Sequence, residues 1–333
     1  MEYRKKFVLK KRSVCKLIFL LTIVCAIAFF NMKIRITNVD EDMHQTPLIP
    51  IIFNYTDPFQ YSQHSTTQQV RKLKVVIPFH IKQIKKVFDN ISKWKIFRPC
   101  DQTNSSNNKV ELIFYIGYFN ADHQITKKKS LILNKSLECF ANKYVVFYKY
   151  DNIDNYLHEK SSRLMFESML NKSNKHFKHL DFVFYMEPDV RPIKSNWLNA
   201  LIIEIGNGNF WVKGSCLRGD LKHFMKNDSY APNYFQVNNN ALYNIGSNNF
   251  RHFYFKIWRP YVVKKYSDSK NAYETNFFEF FFDRNNFQTT RDIIHQFRLS
   301  DFIQNYWKTK FDIDEIKKKH ANTYFVYGGI PSD

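Results

Sequence analysis

Hydrophobic and polar residues alternate in blocks along the middle of the chain, and the blocks have the lengths of strands and helices. Short runs rich in Val, Ile and Phe are typical of buried strands, and between them apolar residues recur every three or four positions, as on one face of a helix. The predicted strands are Leu73–Pro78, Val110–Tyr118, Lys143–Tyr148 and Phe182–Met186, and the predicted helices are Ile81–Trp94, Lys129–Phe140, Ser162–Lys175 and one with Ser195 as its N-cap. This alternation predicts an α/β domain with a mainly parallel sheet.

The second half of the chain continues with shorter patterns. Phe210–Ser215 predicts a strand that runs into a turn, and Ala321–Gly329 predicts a closing strand and turn. Arg251–Lys265 is predicted to be helical, with aromatic and basic residues along it. Two interpretations of this helix stay open, a platform for an acceptor molecule and an amphipathic helix packed on the core.

Residues 1–71 differ in pattern from the rest. Residues 1–12 are basic, and the apolar stretch 13–32 that follows has Lys16 as its only charge. That length spans a bilayer, and no small-residue cleavage site follows it, so an uncleaved signal anchor fits better than a cleaved signal peptide. The basic flank predicts a cytoplasmic tail at 1–12 and a lumenal location for everything after the anchor. Residues 33–71 are polar without a sustained period, which predicts a stem before a domain at 72–333.

The formal net charge of +20 suggests a nucleic-acid-binding protein, but the sequence pattern does not support that class. Positive residues are spread along the chain, and no zinc-finger, RRM or KH pattern is present. We therefore predict no nucleic-acid partner. A basic surface is equally compatible with a nucleotide diphosphate or an acidic glycan.

The five cysteines show no pair with metal-site spacing, which argues against a zinc protein. Cys15 and Cys25 lie in or beside the predicted anchor. Cys100 and Cys139 flank elements of the first half of the domain and are predicted to form a disulfide, with Cys216 left as a free thiol.

Two carboxylates, Glu187 and Asp189, follow the apolar strand Phe182–Met186 and are separated by Pro188. Proline cannot donate to a strand ladder, so the strand is expected to stop here and the chain to turn. The pair taken alone is compatible with a solvated loop. Its place at the carboxyl end of a buried strand instead favours two hard oxygen ligands for a divalent cation and the diphosphate that this cation neutralises.

Taken whole, the stretch Asp181–Leu198 resembles the metal-binding region of GT-A glycosyltransferases, in which an Asp-x-Asp or Glu-x-Asp element follows a strand of the nucleotide-binding sheet. The resemblance implies one GT-A-like (nucleotide-diphospho-sugar transferase) α/β domain with a mixed, mainly parallel sheet, here preceded by one transmembrane helix. It implies Mn²⁺ or Mg²⁺ held by Glu187 and Asp189, a nucleotide-sugar donor, and a glycan or glycoprotein acceptor. The expected location is the Golgi or ER membrane, as a single-pass type II protein.

The segment 235–243, Phe-Gln-Val-Asn-Asn-Asn-Ala-Leu-Tyr, resembles an Asn-Gly-Asn-Ala-Leu-Tyr type segment of glycosyltransferases that carry the same Glu-Pro-Asp motif. Its amides offer donors and acceptors for sugar hydroxyls, and Asn238 and Asn240 are the expected contacts to the donor sugar. A small residue usually stands at the position of Asn239, so the chain departs from the pattern there. An Asn-rich turn between strands is the alternative interpretation.

The resemblance also indicates where further chemistry lies. An inverting enzyme of this class has a carboxylate in the region Tyr273–Asp283 as general base for the acceptor hydroxyl, and Glu274 is the first candidate and Glu279 the second. A retaining enzyme needs no such base, because the donor phosphate takes the proton. Many GT-A families have a late histidine as third metal ligand, where this chain has Tyr327 with His320 upstream. Either His320 or water completes the metal site, or the site is degraded.

Two functions follow from these patterns. One is a metal-assisted glycosyltransferase that moves a sugar from a nucleotide-sugar donor to a glycan or glycoprotein hydroxyl. The other is a catalytically inactive, membrane-anchored glycan-binding protein on the same fold, which the absent late histidine and the departure at Asn239 favour. Metal-dependent nucleotide binding distinguishes the two, since the inactive protein is expected to show little or none.

Overall fold

Strands and helices alternate along the part of the chain that a computed structural model describes. The described residues are 72–101, 110–119, 137–151, 160–171, 173–177, 182–206, 209–218, 237, 239–266, 277–306, 309–328 and 330–331, and all fall in one compact unit, Gln68–Asp333. The strands are β1 (Leu73–His80), β2 (Glu111–Tyr118), β3 (Lys143–Lys149), β4 (Phe182–Tyr185), β5 (Arg191–Pro192), β6 (Val212–Gly214), β7 (Leu242–Tyr243), β8 (Phe297–Leu299), β9 (Ile303–Asn305), β10 (Lys310–Phe311), β11 (Phe325–Tyr327) and β12 (Ile330–Pro331).

The helices of the same residues cover both halves of the domain. They are α1 (Ile84–Lys93), α2 (Lys160–Leu170), α3 (Trp197–Gly206), α4 (Asn248–His252), α5 (Arg259–Tyr266), α6 (Phe277–Phe282), α7 (Phe287–Ile293) and α8 (Ile313–Lys319), with a π-helical stretch at Phe253–Trp258 and 3-10 turns at Ile81–Gln83, Arg284–Asn286 and Ile294–Gln296. Among these described helices none is long and apolar enough to cross a membrane. The predicted tail, anchor and stem at residues 1–71 lie outside the described residues.

The central sheet has seven strands in the order β3-β2-β1-β4-β7-β6-β8. β3, β2, β1 and β4 are parallel, β7 is antiparallel to both β4 and β6, and β8 is parallel to β6. Two smaller sheets, β5-β11-β9 and β10-β12, contain the other described strands. The prediction of a mixed, mainly parallel α/β sheet is confirmed.

The inner strands β2, β1 and β4 are buried on both faces, which explains why they read as nearly continuous apolar runs. Successive side chains of a strand point to opposite faces. Val75 and Ile77 of β1 pack in one core with α1 and α3, whereas Val76 packs in a second core with α2 and the helical residues 248–266. The two cores hold the sheet between helical layers, so the strand ends are the open edges at which a ligand can reach the backbone.

β1 extends two residues beyond its predicted end at Pro78. Proline has no N–H for the ladder, so it usually lies at the edge or the end of a strand. The pairing between β1 and β4 runs only as far as Val76 and Tyr185, so on the β4 side Pro78 lies beyond the last paired residue. The strand can therefore continue to His80 along β2 without losing a hydrogen bond to β4.

α2 ends at Leu170, five residues before its predicted end at Lys175. The cause is local, since the Asn171 side chain accepts hydrogen bonds from the backbone N–H and the hydroxyl of Ser173 at 3.0 and 2.9 Å and starts a turn. Of the predicted helix Lys129–Phe140 the structure describes only 137–140, which form a turn.

α3 begins at Trp197, and the prediction of Ser195 as its N-cap is wrong. The residue before the helix is Asn196, whose φ of 61° lies in the left-handed region that Asn tolerates better than most residues. The Ser195 hydroxyl instead donates to the carbonyl of Ile96 at 3.5 Å, which ties the start of α3 to the turn after α1.

The helix predicted at Arg251–Lys265 is present from 248 to 266 and is packed on the core. Phe253, Tyr254 and Trp258 are fully buried, so the amphipathic interpretation is confirmed. Its middle is π-helical, and this stretch ends at Trp258, two residues before Pro260. Proline removes a helical hydrogen bond and crowds the preceding turn, and a widened turn accommodates both effects.

Candidate functional site

A pocket lies where the chain order of the central sheet reverses. β2 and β3 continue from β1 to one side, and β4 lies on the other side, so the carboxyl ends of β1 and β4 meet at a topological switch point. Ligands of open α/β sheets bind in this crevice. The pocket has a volume of about 220 Å³ and is lined by Pro78, Phe79, His80, Gln83, Lys86, Ser162, Met165, Tyr185, Glu187, Pro188, Asp189 and Tyr327.

Glu187 is held by the side chains of two consecutive asparagines. Asn239 Nδ2 donates to Glu187 Oε1 at 2.6 Å, and Asn240 Nδ2 donates to Oε2 at 3.0 Å. The Asn240 oxygen accepts from the backbone N–H of Glu187 at 2.7 Å, and Asn240 is completely buried. Because both carboxylate oxygens accept hydrogen bonds, Glu187 has a fixed orientation toward the pocket.

Two opposing effects set the charge of Glu187. Burial, and then the nearby charge of Asp189, raise the pKa of Glu187 to about 7. Hydrogen bonds from Asn240 and Tyr327 and the charge of Lys86 act in the opposite direction. Two carboxylates close together in a poorly solvated pocket favour a bound cation, which would relieve the repulsion between them.

Lys86 of α1 is the cation that the pocket itself supplies. Its Nζ lies 3.1 Å from Asp189 Oδ2, and about half of the Lys86 side chain is exposed. α1 is also fixed to the loop after β4, because Asn90 Nδ2 donates to the carbonyls of Pro188 at 3.3 Å and Val190 at 2.5 Å. The contact keeps Lys86 beside Asp189.

His80, at the end of β1, forms another wall of the pocket. Its ring stacks on Tyr150 with centroids 5.8 Å apart, and its Nε2 lies 3.0 Å from the hydroxyl of Ser161. Burial, and then the charge of Lys82, lower the pKa of His80. The imidazole is therefore neutral near pH 7 and presents a polar, uncharged surface.

The structure brings together three of the residues singled out from the sequence: Glu187, Asp189 and Asn240. Asn240 uses its amide to hold Glu187, a different contact from the one to a donor sugar that we predicted. Its complete burial leaves no surface for a sugar hydroxyl. Asn238 and Glu274 lie outside the described residues.

Glu279 and His320 are not among the residues that line the pocket. Glu279 lies on α6, where its carboxylate accepts a hydrogen bond from Tyr266 and lies 4.0 Å from Lys265 Nζ. His320 follows the last residue of α8. Among the described residues no group of three His, Cys, Asp or Glu side chains is placed to hold a metal ion.

Several site residues were not assigned a role from the sequence, among them Asn239, Lys86 and Tyr327. Asn239 was noted only as a departure from a pattern, although two adjacent amides beside an acidic motif were a usable signal. Lys86 is one of several lysines on a helix, and only its contact with Asp189 distinguishes it. Tyr327 stands where a late histidine was expected, and it lines the pocket and hydrogen-bonds to Glu187.

The sequence matches no protein-family model and no curated protein. Similar solved structures include mouse xyloside xylosyltransferase 1 in its apo form, which is 9% identical over 78% of this chain and 97% of that chain with a TM-score of 0.40. The galactosyltransferase LgtC with donor and acceptor sugar analogs is 12% identical over 77% and 86%, with a TM-score of 0.42. A glycosyltransferase involved in glycosylation of the major capsid of PBCV-1 is 8% identical over 77% and 92%, with a TM-score of 0.33. These structures are glycosyltransferases, but likenesses this distant do not establish the function of the present chain.

Proposed function

We propose that this protein is a metal-assisted glycosyltransferase that moves a sugar from a nucleotide-sugar donor to a hydroxyl of a glycan or glycoprotein. One observation carries the proposal: Glu187 and Asp189 line a pocket at the switch point of the sheet, with Glu187 oriented by two buried amides. The Glu-Pro-Asp sequence resembles that of GT-A glycosyltransferases, and the position of the pair supports the same use.

The residues present fit Mn²⁺ or Mg²⁺. Both ions take oxygen ligands, and Mg²⁺ typically uses one or two protein carboxylates and completes its shell with water and substrate phosphates. Glu187 and Asp189 would hold the ion, so a third protein ligand is not required. When bound, a divalent cation neutralises charge that develops on a leaving diphosphate.

The other pocket residues bind and orient the donor. Lys86 contributes a positive charge next to Asp189, within reach of an anionic substrate group. The volume of about 220 Å³ is below the 300–1,000 Å³ typical of small-molecule sites. The described walls therefore enclose only part of a nucleotide sugar.

Glu274 stays our first candidate for the general base of an inverting reaction.

A catalytically inactive glycan-binding protein is the second candidate. The observation that favours it is the ion pair between Lys86 and Asp189, because a lysine already neutralises one of the two expected metal ligands. In such a protein the pocket would bind an uncharged sugar through Glu187 and the neutral His80, without a metal.

Thermal unfolding of the full chain with a panel of nucleotide sugars, with and without Mn²⁺, separates the two candidates. At a donor concentration near 100 Kd, binding stabilises the folded state by about 2.7 kcal/mol. We expect this stabilisation for one donor, only with Mn²⁺, and not in Asp189→Asn. The matched control is Asp292→Asn, a carboxylate of α7 that pairs with its neighbour Arg291. Metal-independent stabilisation by a free glycan, with no response to any donor, would instead support the inactive protein.

We also propose a single-pass type II protein of the Golgi or ER membrane, on the basis of residues 1–32. An alkaline carbonate wash of isolated membranes tests this. The protein is expected to stay in the pellet, and release into the supernatant would contradict the anchor.

A further inference from the structure

A row of basic side chains leads away from the pocket along α1. Lys86 and Lys93 are exposed, and their spacing of seven residues places them on one face of α1. Lys82 is also exposed and lies in the 3-10 turn that precedes α1. Lys86 lines the pocket. With a rise of 1.5 Å per residue, Lys93 lies about 10 Å further along the helix axis. Asp89 is the acidic residue within this row.

The positive charge continues beyond the end of α1. α1 packs against β5, which places Lys93 near Arg191. Burial, and then the charge of Arg191, lower the pKa of Lys93. Burial, and then the charge of Lys317, lower the pKa of Lys194 in the same way. We refer to these side chains as the α1 cationic surface: Lys82, Lys86, Lys93, Arg191, Lys194 and Lys317.

The elements that carry this surface are fixed to one another. The backbone N–H of Asn196 donates to the carbonyl of Arg98 at 2.7 Å, which joins the segment after β5 to the turn after α1. Lys317 of α8 lies over the ring of Phe97, with Nζ 5.5 Å from its centroid. The ammonium group of Lys194 donates a hydrogen bond to the carbonyl of Ala321. The elements that carry these like charges are therefore held close together.

We propose that the α1 cationic surface binds the anionic groups of an acidic glycan, so that the acceptor is a glycan bearing sulfate, phosphate or carboxylate groups. The assignment as acceptor rests on the proposed glycosyltransferase function. A row of preorganised cations attracts a polyanion and aligns it with the pocket at Lys86. Three acidic residues face the surface: Asp89, Asp189 and Asp314. They reduce its positive charge only in part.

The aromatic residues beside the α1 cationic surface favour a glycan over a nucleic acid as its partner. Proteins bind single strands by stacking bases on aromatic rings. Here Lys317 lies over the Phe97 ring, and Lys194 lies over the Tyr324 ring with Nζ 5.6 Å from its centroid. Each ring thus has a face covered by a cation, which suits a partner recognised by charge.

Binding of a labelled, sulfated heparin oligosaccharide to the full chain tests the proposal, with the same oligosaccharide after removal of its sulfates and reduction of its carboxylates to alcohols, and with its amines acetylated, as the uncharged probe. The variant is Lys93→Glu with Lys317→Glu. The control is Lys256→Glu with Lys264→Glu, which changes the net charge equally at exposed positions of the other helical layer. We expect the first pair to weaken binding about tenfold or more and the control to weaken it about twofold or less. Equal losses in the two pairs, or no loss in either, would overturn the proposal.

Two further arms complete the test. If the charge reversals fail to fold, Lys93→Gln with Lys317→Gln is measured against Lys256→Gln with Lys264→Gln, with the same expectation and the same overturning result. A single-stranded RNA of matched charge that binds more tightly than the oligosaccharide, and loses that binding in the first pair, would assign the surface to nucleic acid. Nucleotide-sugar stabilisation with Mn²⁺ is measured on the same proteins. Its absence from the wild type defeats the transferase proposal but leaves the glycan-binding result standing.

Discussion

Asn240 and Glu187 are joined by two hydrogen bonds that run in opposite directions. The backbone N–H of Glu187 donates to Asn240 Oδ1 at 2.7 Å, and Asn240 Nδ2 donates to Glu187 Oε2 at 3.0 Å. A single buried amide therefore fixes both the backbone and the carboxylate of the acidic residue. Since Asn240 lies two residues before the short strand β7, which pairs with β4, the sheet itself holds Asn240 and Glu187 together.

Replacement of Asn240 by aspartate is predicted to destabilise the protein. Asn240→Asp keeps the acceptor for the Glu187 N–H but loses the donor to Oε2 and adds a second charge beside a buried carboxylate. We expect the free energy of unfolding at pH 8 to fall by about 2–4 kcal/mol, and by less at pH 5, where one carboxyl is protonated. Urea unfolding at both pH values measures this. Asn249→Asp, at an exposed position of α4, should change stability by less than about 0.5 kcal/mol.

Glu187 is predicted to make the metal-free protein less stable as the pH rises. Its pKa is raised from 4.5 to about 7, so its favourable contribution is complete below pH 4.5 and is lost as the pH rises through about 7. As the pH rises across this range, the free energy of unfolding of Glu187→Gln should increase relative to that of the wild type by on the order of 2 kcal/mol. This value is smaller than the full pKa shift implies, because Glu187 is partly exposed and solvent screens its charge. Chemical unfolding in the presence of a chelator tests this. A pH-independent difference between the two proteins would contradict it, and Glu138→Gln is the exposed control.

Gly214 of β6 is predicted to tolerate no side chain. A Cβ there would lie 2.8 Å from Ala241 Cβ and 2.9 Å from Val237 Cγ1, and the Ala241 methyl group cannot turn away. Gly214→Ala should cost about 1–3 kcal/mol and, by displacing the residues next to Asn240, weaken stabilisation by Mn²⁺ and donor. Gly206→Ala is the matched control, because nothing lies within 4 Å of its Cβ and α3 favours alanine. Equal losses of unfolding free energy in the two variants would contradict a requirement for close packing around Gly214.

The disulfide between Cys100 and Cys139 is predicted to contribute strongly to stability. It was expected from the sequence and is present, with Cys216 free. The two cysteines are 39 residues apart, and closing a loop of this length restricts the unfolded chain by about 3–4 kcal/mol. Cys100→Ala with Cys139→Ala should lose that amount in urea unfolding. Cys216→Ala should be nearly neutral, and a similar loss from Cys216→Ala would argue against the assignment.

Apart from the helix predicted at Lys129–Phe140, the sequence by itself determined the type and order of the described elements before Glu187. A fully buried strand is a continuous apolar run, and a helix packed on the core is apolar on one face only. Both patterns can be recognised in the sequence without knowledge of any tertiary contact. The prediction of carboxylates at the end of β4 follows from the same local pattern. Element ends were less well determined, because Asn171 and Asn196 act through side-chain turns and a left-handed backbone that the apolar pattern does not record.

Only the tertiary structure decided which residues surround those carboxylates. Glu187 is separated by 52 and 53 residues from the asparagines that hold it, and Asp189 by 103 residues from Lys86. No local period links such positions. They meet because β7 pairs with β4, and because Asn90 fixes α1 to the loop after β4. Chain-local preferences determined where the acidic residues stand, and long-range strand pairing and helix packing determined their charge, orientation and neighbours.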